Sequence, residues 1–281
     1  MDKAQNPRLT FLGCGSMNEA ILGGILSGGL PPGQVTATVR RTERAEELRS
    51  AYRITVLAGN DDAEANRKAV AGADLVIVGV KPVGVADLLR EIAADLPAEA
   101  VVLSVAAAVP LALMESLLPA GQPVIRSMPN TPSRLGKGVV SISAGSHAGP
   151  EAMDLARSVL SATGTVVEVP EEQVDAVSAV SGSGPAYAFY LAEAMARAGV
   201  ELGLEPELSA LLARETVAGA GYMLAEPDAD ATRLRRAVTS PKGTTEAAIR
   251  TFDERGLPDI IEAGAQAAAA RARDITAQLS E

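Results

Sequence analysis

An apolar run at residues 8–12 ends in Gly13-Cys14-Gly15-Ser16-Met17-Asn18, and residues 19–27 then read as a helix that Gly28-Gly29 ends. Strand, glycine turn and helix in that order constrain the chain more than any other stretch. They open a βαβ unit, and βαβ units build parallel sheets. Gly13 permits the tight turn, and Gly15 lets the backbone approach a pyrophosphate at the helix N-terminus. Asn18 stands where such a fingerprint has its third glycine; it is bulkier, but its amide can hydrogen-bond a phosphate.

The alternation continues. Apolar runs at residues 35–39, 54–57, 74–80, 100–105, 123–126, 139–144 and 165–169 alternate with helical stretches at 41–50, 63–71, 83–95 and 150–162. The run at 74–80 is too continuous for a half-exposed strand and fits a buried parallel one. The pattern predicts an α/β N-terminal Rossmann-like domain, doubly wound with a mostly parallel sheet, over residues 1–170. From residue 171 to 281 no strand is apparent, and apolar residues recur at helical spacing over 185–202, 206–224, 230–238, 244–252 and 258–279. Several of these helices are alanine-rich and apolar on more than one face, and a helix apolar around its circumference must be buried. They are expected to pack against another copy of the chain, making a homo-oligomer.

Arg40-Arg41-Thr42 follows the second run directly. An acidic residue at that place would bind a ribose 2′-hydroxyl, whereas guanidinium groups suit a 2′-phosphate. NADP is therefore favoured over the blander alternative of a solvated helix start. Lys81-Pro82 closes the run at 74–80, and Ala106-Ala107-Ala108 closes the next, where small residues let a flat ring lie against the backbone. Ligands of open parallel sheets bind beyond such carboxyl ends. Farther on, Ser181-Gly182-Ser183-Gly184-Pro185-Ala186-Tyr187 runs a Ser/Gly loop into a proline at the start of a helix. The loop at residues 238–246, with Ser240, Pro241, Lys242, Gly243, Thr244 and Thr245, has the ingredients of a carboxylate nest. It also reads as a helix cap with Glu246, and both readings can hold together.

Composition narrows the chemistry. With 281 residues, a net charge of −10 and no basic run, the chain lacks the basic face a nucleic acid needs. One cysteine excludes an intrachain disulfide, residues 1–7 show no apolar signal core, and no run approaches a membrane span. A cytoplasmic protein, off the membrane, is the expectation. The only histidine, His147, lies in a surface turn by composition, and no metal-ligand cluster or nucleophile–base pair is visible. A dinucleotide enzyme without an evident acid or base suits an imine, which can arrive protonated and needs only positioning and a hydride.

Together the segments Gly13-Cys14-Gly15-Ser16-Met17, Val80-Lys81-Pro82, Met128-Pro129-Asn130-Thr131-Pro132, Ser181–Tyr187 and 238–245 resemble those of pyrroline-5-carboxylate reductases, over essentially the full length. The resemblance implies a Rossmann domain, an all-helical substrate and dimerisation domain, and a dimer with interleaved helices, in some members built into larger rings such as a decamer. It implies reduction of 1-pyrroline-5-carboxylate to L-proline with NADPH, or NADH, as the last step of proline biosynthesis. By position it places Gly13, Cys14, Gly15, Ser16, Met17 and Asn18 at the pyrophosphate, and Arg40, Arg41 and Asn66 near the adenosine end. Val80, Lys81 and Pro82 fall on the ribose side, and Ala106 and Ala107 against the nicotinamide. Ser240, Gly243, Thr244 and Thr245 are implied to hold the substrate carboxylate and ring, with Thr245 hydrogen-bonding the ring nitrogen as the catalytic residue. Glu171, Val180, Ser181 and Ser183 are implied to close the pocket.

Three positions depart from the family pattern: Asn18 for a small residue, Ala108 for a glycine, and Lys242 for the first glycine of a Pro-Gly-Gly-Thr-Thr run. Other readings remain. Hydroxyacid dehydrogenases share the architecture, but their catalytic lysine, four residues past the last glycine, falls here on Ala188. Reduction of another cyclic imine, and a non-catalytic NADP-binding oligomer, are the remaining alternatives.

Overall fold

The computed structural model describes residues 6–280; residues 1–5, part of the stretch read for a signal core, lie outside the described residues. The chain divides into two compact units, residues 1–182 with 269–281, and residues 183–268.

The first unit alternates β1 (Leu9–Leu12), α1 (Ser16–Ser27), β2 (Val35–Val39), α2 (Thr42–Tyr52), β3 (Thr55–Ala58), α3 (Ala65–Val70), β4 (Leu75–Val78), α4 (Val85–Ile92), β5 (Val101–Ser104), α5 (Leu111–Ser116) and β6 (Val124–Pro129). Then follow β7 (Gly138–Ala144), α6 (Pro150–Leu160), β8 (Gly164–Glu168) and the short α7 (Val174–Val177). The strands form one sheet in the order β3-β2-β1-β4-β5-β6-β7-β8. Every pairing is parallel except β6 with β7. This is the doubly wound, mostly parallel sheet expected from the alternation.

Residues of β1, β4 and β5 are buried throughout, and their side chains alternate between two cores. Leu9, Phe11, Leu75, Ile77 and Leu103 pack with Ile21, Leu22 and Ile25 of α1, Leu48 of α2 and Val159 and Leu160 of α6. Leu12, Val76, Val78 and Val102 pack on the opposite face with Val70 of α3, Leu88, Leu89 and Ile92 of α4 and Met114 of α5. Burial on both faces is why these runs read as continuous instead of alternating. Because β2 and β4 flank β1, the strand order reverses there, and the carboxyl ends of β1 and β4 open onto the crevice where such sheets bind ligands.

Two devices hold that end of the sheet. Gly13 turns at a φ of +72°, and a Cβ on it would lie 2.6 Å from Cγ1 of Val80. The Cys14 N–H donates to the Thr38 carbonyl at 2.9 Å, and the Gly13 N–H to the Thr38 hydroxyl at 3.3 Å, so β2 anchors the turn. Farther along the sheet, Oε1 of Glu171 accepts from Nη1 of Arg126 in β6 at 2.9 Å and from the Leu111 N–H at the start of α5 at 2.8 Å. The Arg126 side chain is 7% exposed and that of Glu171 31%. The carboxylate expected to help close a substrate pocket is thus committed to a buried arginine and a helix N-terminus.

In the second unit lie α8 (Gly184–Glu201), α9 (Pro206–Leu224), α10 (Ala231–Ala237) and α11 (Thr244–Glu254); α12 (Leu257–Ser280) begins there. α8 and α9 approach closely, the Ser209 hydroxyl donating to the Ala196 carbonyl at 2.6 Å. Their apolar faces are otherwise bare: among the described residues of the unit only Ser209 and Ala213 are buried, while Phe189 is 67% and Tyr190 65% exposed.

Glu171→Ala strands a buried guanidinium and uncaps α5, which should lower stability by about 2 kcal/mol in urea unfolding, reduced from a fully buried case by the exposure of the carboxylate. Cys14 lies in the core at 2% exposure, and burial, reinforced by the Glu19 charge, pushes its thiol up to about 12. Its folded pKa exceeds the unfolded value, so its contribution to stability is complete below about 9 and is lost as pH rises toward 12. The native protein should resist maleimide labelling at pH 8 and react only after denaturation.

Candidate active site

At the mouth of the crevice, α1 begins with Gly15 as its N-cap and no side-chain cap. The first intrahelical bond runs from the Glu19 N–H to the Gly15 carbonyl at 2.8 Å, so the N–H groups of Ser16, Met17 and Asn18 point out of the helix end. Gly15 is exposed, with no heavy atom within 4 Å of where its Cβ would stand. Bare donors, the positive end of a helix and open space fit a pyrophosphate. Two residues assigned to this cradle contribute less than expected. The Cys14 thiol is in the core and its N–H is taken by Thr38. Asn18 is buried, and its side-chain amide donates inward to the carbonyls of Leu12, Gly13 and Ile77 at 3.3, 3.4 and 3.4 Å. A longer side chain at the third glycine position is tolerated because Gly79 beneath it leaves room.

Arg40 and Arg41 are exposed at the end of β2 and make no ion pair among the described residues. The Thr42 hydroxyl donates to Oδ1 of Asp61 at 2.6 Å. Asn66, at the start of α3, holds Glu91 of α4, its Nδ2 lying 3.1 Å from each carboxylate oxygen. Lys81 is exposed beyond β4, with Val80 and Pro82 half-buried beside it. Just past β5 one more rung joins it to β4, the Val105 N–H donating to the Val78 carbonyl at 3.0 Å, and the Ala106 N–H donates to the Ser104 hydroxyl at 3.2 Å. Ala106 is buried, Ala107 exposed, and Ala108 adopts a left-handed φ of +63°. The glycine that Ala108 replaces is therefore explained by backbone conformation. The structure brings Gly13, Gly15, Ser16, Arg40, Arg41, Val80, Lys81, Pro82, Ala106 and Ala107 to the carboxyl ends of β1, β2, β4 and β5.

At the far end of this unit, residues 178–182 form a π-helical turn before α8. Asn130 holds it, donating through Nδ2 to the Ser181 carbonyl at 3.0 Å and accepting the Val139 N–H at 2.9 Å. Val180 is 71% exposed, and the Ser181 hydroxyl turns back to the Val177 carbonyl at 3.1 Å. A groove of about 860 Å³ lies elsewhere, along the outer face of α1 between Glu19, Tyr52 and residues 133–136. Ser16 lines part of it, but Gly13, Gly15, Lys81, Ala106 and Ala107 do not, so it is not the strand-end crevice.

Within the second unit, the loop before α11 turns through a Gly243 N–H to Ser240 carbonyl bond of 3.0 Å, with Lys242 at a φ of +61°. Gly243 is the N-cap of α11 and carries no side-chain cap. Glu246 reaches back to the Lys242 N–H at 2.8 Å, which leaves the N–H groups of Thr244 and Thr245 and their hydroxyls at the helix start. The helix-start reading with Glu246 is met through this reach-back bond. Ser183 is the N-cap of α8.

Sequence reasoning passed over Asp61 and Arg126, and met Asn130 only within the Met128–Pro132 motif, with no role for its side chain. Arg126 had a readable signal, since a cation inside an apolar strand demands a buried acceptor. Asp61 and Asn130 had none, because their partners Thr42 and Ser181 lie 19 and 51 residues away.

Residues 171–275 match the family described as pyrroline-5-carboxylate reductase dimerisation, and residues 8–108 match NADP oxidoreductase, coenzyme F420-dependent. A pyrroline-5-carboxylate reductase of Pseudomonas aeruginosa is 37% identical over 276 residues, covering 98% of this chain and 99% of the relative. Among solved structures, a pyrroline-5-carboxylate reductase from Coxiella burnetii superposes with a TM-score of 0.90 at 32% identity, covering 96% of this chain and 99% of that one. A Plasmodium falciparum pyrroline carboxylate reductase with NADP bound shares the fold, with a TM-score of 0.81 at 21% identity over 96% of this chain and 98% of that one. By near-full-length identity above 30%, this chain belongs to the pyrroline-5-carboxylate reductase family.

Proposed function

We propose that this chain reduces the C=N bond of 1-pyrroline-5-carboxylate to give L-proline, with NADPH or NADH as reductant. The observation that carries the reading is the uncapped start of α1 at the sheet's switch point, in a chain whose relatives over nearly its whole length are reductases of this substrate. The bound dihydronicotinamide supplies the hydride. The N–H groups of Ser16, Met17 and Asn18 hold the pyrophosphate, and the missing side chain of Gly15 lets it approach. Arg40 and Arg41 stand at the adenosine end, with Asn66, now held by Glu91, behind them. Val80, Lys81 and Pro82 flank the ribose, and Ala106 and Ala107 present a flat surface to the ring. Glu171 acts by fixing α5 and so the loop that carries those alanines.

Substrate binding falls to the start of α11. The Thr244 and Thr245 N–H groups and the Ser240 hydroxyl suit a carboxylate, and the Gly243 cap keeps that helix end free of a competing side chain. Thr245 hydrogen-bonds the ring nitrogen, steadying its proton while the adjacent carbon becomes tetrahedral. The Val180, Ser181 and Ser183 turn borders the substrate. The acidic balance and the absence of any long apolar helix among the described residues support a cytoplasmic enzyme off the membrane and away from nucleic acid.

The helical unit supports a homodimer, assembling into a larger ring such as a decamer. α8 leaves Phe189, Tyr190 and Leu191 at least half exposed, more apolar surface than an isolated helix pair tolerates in water.

The purified protein should oxidise NADPH or NADH only when pyrroline-5-carboxylate is added; no turnover with either cofactor overturns the assignment. Thr245→Ala should lower kcat by about 10- to 100-fold while the dissociation constant for NADPH stays within about twofold, which separates a role at the ring nitrogen from cofactor binding. Phe189→Asp should convert the oligomer into smaller species in light scattering.

A further inference from the structure

The adenosine end of the crevice contains an acidic group that the arginine pair conceals in the sequence. The loop after β3 is fastened alongside the end of β2: the Gly59 N–H donates to the Val39 carbonyl at 2.8 Å and the Asn60 N–H to the Arg40 carbonyl at 2.9 Å. It is also closed on itself by the N–H groups of Asp61 and Asp62 on the Ala58 carbonyl, at 3.1 and 3.0 Å. These bonds deliver the Asp61 carboxylate to the first residue of α2, where Thr42 donates to it at 2.6 Å. The neighbouring acid is neutralised, since Nζ of Lys68 reaches Oδ2 of Asp62 at 2.6 Å. Asp61 makes no ion pair among the described residues and is exposed.

Arg40, Arg41 and Thr42 are the triplet that sequence reasoning assigned to a 2′-phosphate. In the structure the hydroxyl of that triplet is taken, and an unneutralised carboxylate stands beside it. A phosphate carrying nearly two negative charges is repelled by such a group, whereas a ribose 2′-hydroxyl can donate to it. We infer that Asp61 is a specificity-determining residue that tempers the arginine pair and lets the site accept the 2′-hydroxyl of NADH as well as the 2′-phosphate of NADPH. The inference rests on the cofactor reading above and adds the residue that sets the balance.

Asp61→Asn keeps an acceptor for Thr42 and removes only the charge, so the start of α2 is preserved. Titration calorimetry of the whole protein with 2′,5′-ADP and with 5′-AMP reads the adenosine end without substrate or hydride transfer. The variant should bind 2′,5′-ADP about tenfold tighter relative to 5′-AMP than the unmodified protein does, and the ratio of kcat/KM for NADPH over NADH should rise similarly. The double variant Asp62→Asn with Lys68→Met, which deletes a neutral pair, should leave both ratios unchanged. An unchanged ratio in Asp61→Asn, or an equal shift in that double variant, overturns the inference. Because the calorimetry needs no turnover, a failed reductase assay leaves this test readable. Binding of neither nucleotide overturns the inference together with the cofactor reading.

Discussion

The ends of the two central strands are held by one side chain. Asn18 lies 1% exposed beneath the first turn of α1, and its amide reaches carbonyls at the end of β1 and in β4. The Leu12 carbonyl already accepts the Gly79 N–H at 2.9 Å, and Asn18 adds a second donor there and another at Ile77, tying the helix start to both strands. The N–H groups of Gly13, Cys14 and Gly15 are taken by Thr38 and by the Gly13 carbonyl, so the outward donors are those of Ser16, Met17 and Asn18 in the first turn of α1. The Oδ1 of Asn18 finds no partner among the described residues, a local cost accepted at the place where the crevice must stay open.

Much of this was legible from residue pattern. The continuous run at 74–80 and the Gly13–Asn18 turn follow from physics that acts locally: two-sided burial and the conformational freedom of glycine. What escaped was the direction of side chains that choose between solvent and interior. Asn18 was read as facing a phosphate, yet the space above Gly79 draws it inward, and only the packed sheet creates that space. Glu171 was read as part of a substrate pocket, yet a buried cation 45 residues earlier claims it. Long-range polar pairs of this kind leave no periodic trace.

The two units earn their stability differently. The sheet has two cores, one on each face, and would hold its form by its own burial. The helical unit has almost none in a single chain, so its alanine-rich faces count as hydrophobic free energy held in reserve for association. The loop before α11 belongs to that unit, and its geometry is thereby linked to association, since a ligand or partner that binds only the folded form stabilises it.

Two non-glycine residues sit in left-handed backbone at the two loops assigned to cofactor and substrate, Ala108 at a φ of +63° and Lys242 at +61°. Each carries roughly 1 kcal/mol of steric strain that glycine would avoid. In exchange, the unfolded chain has fewer conformations to lose at those places. At a positive φ the strain outweighs that saving, so each loop holds its shape against a local cost that the packing around it must offset.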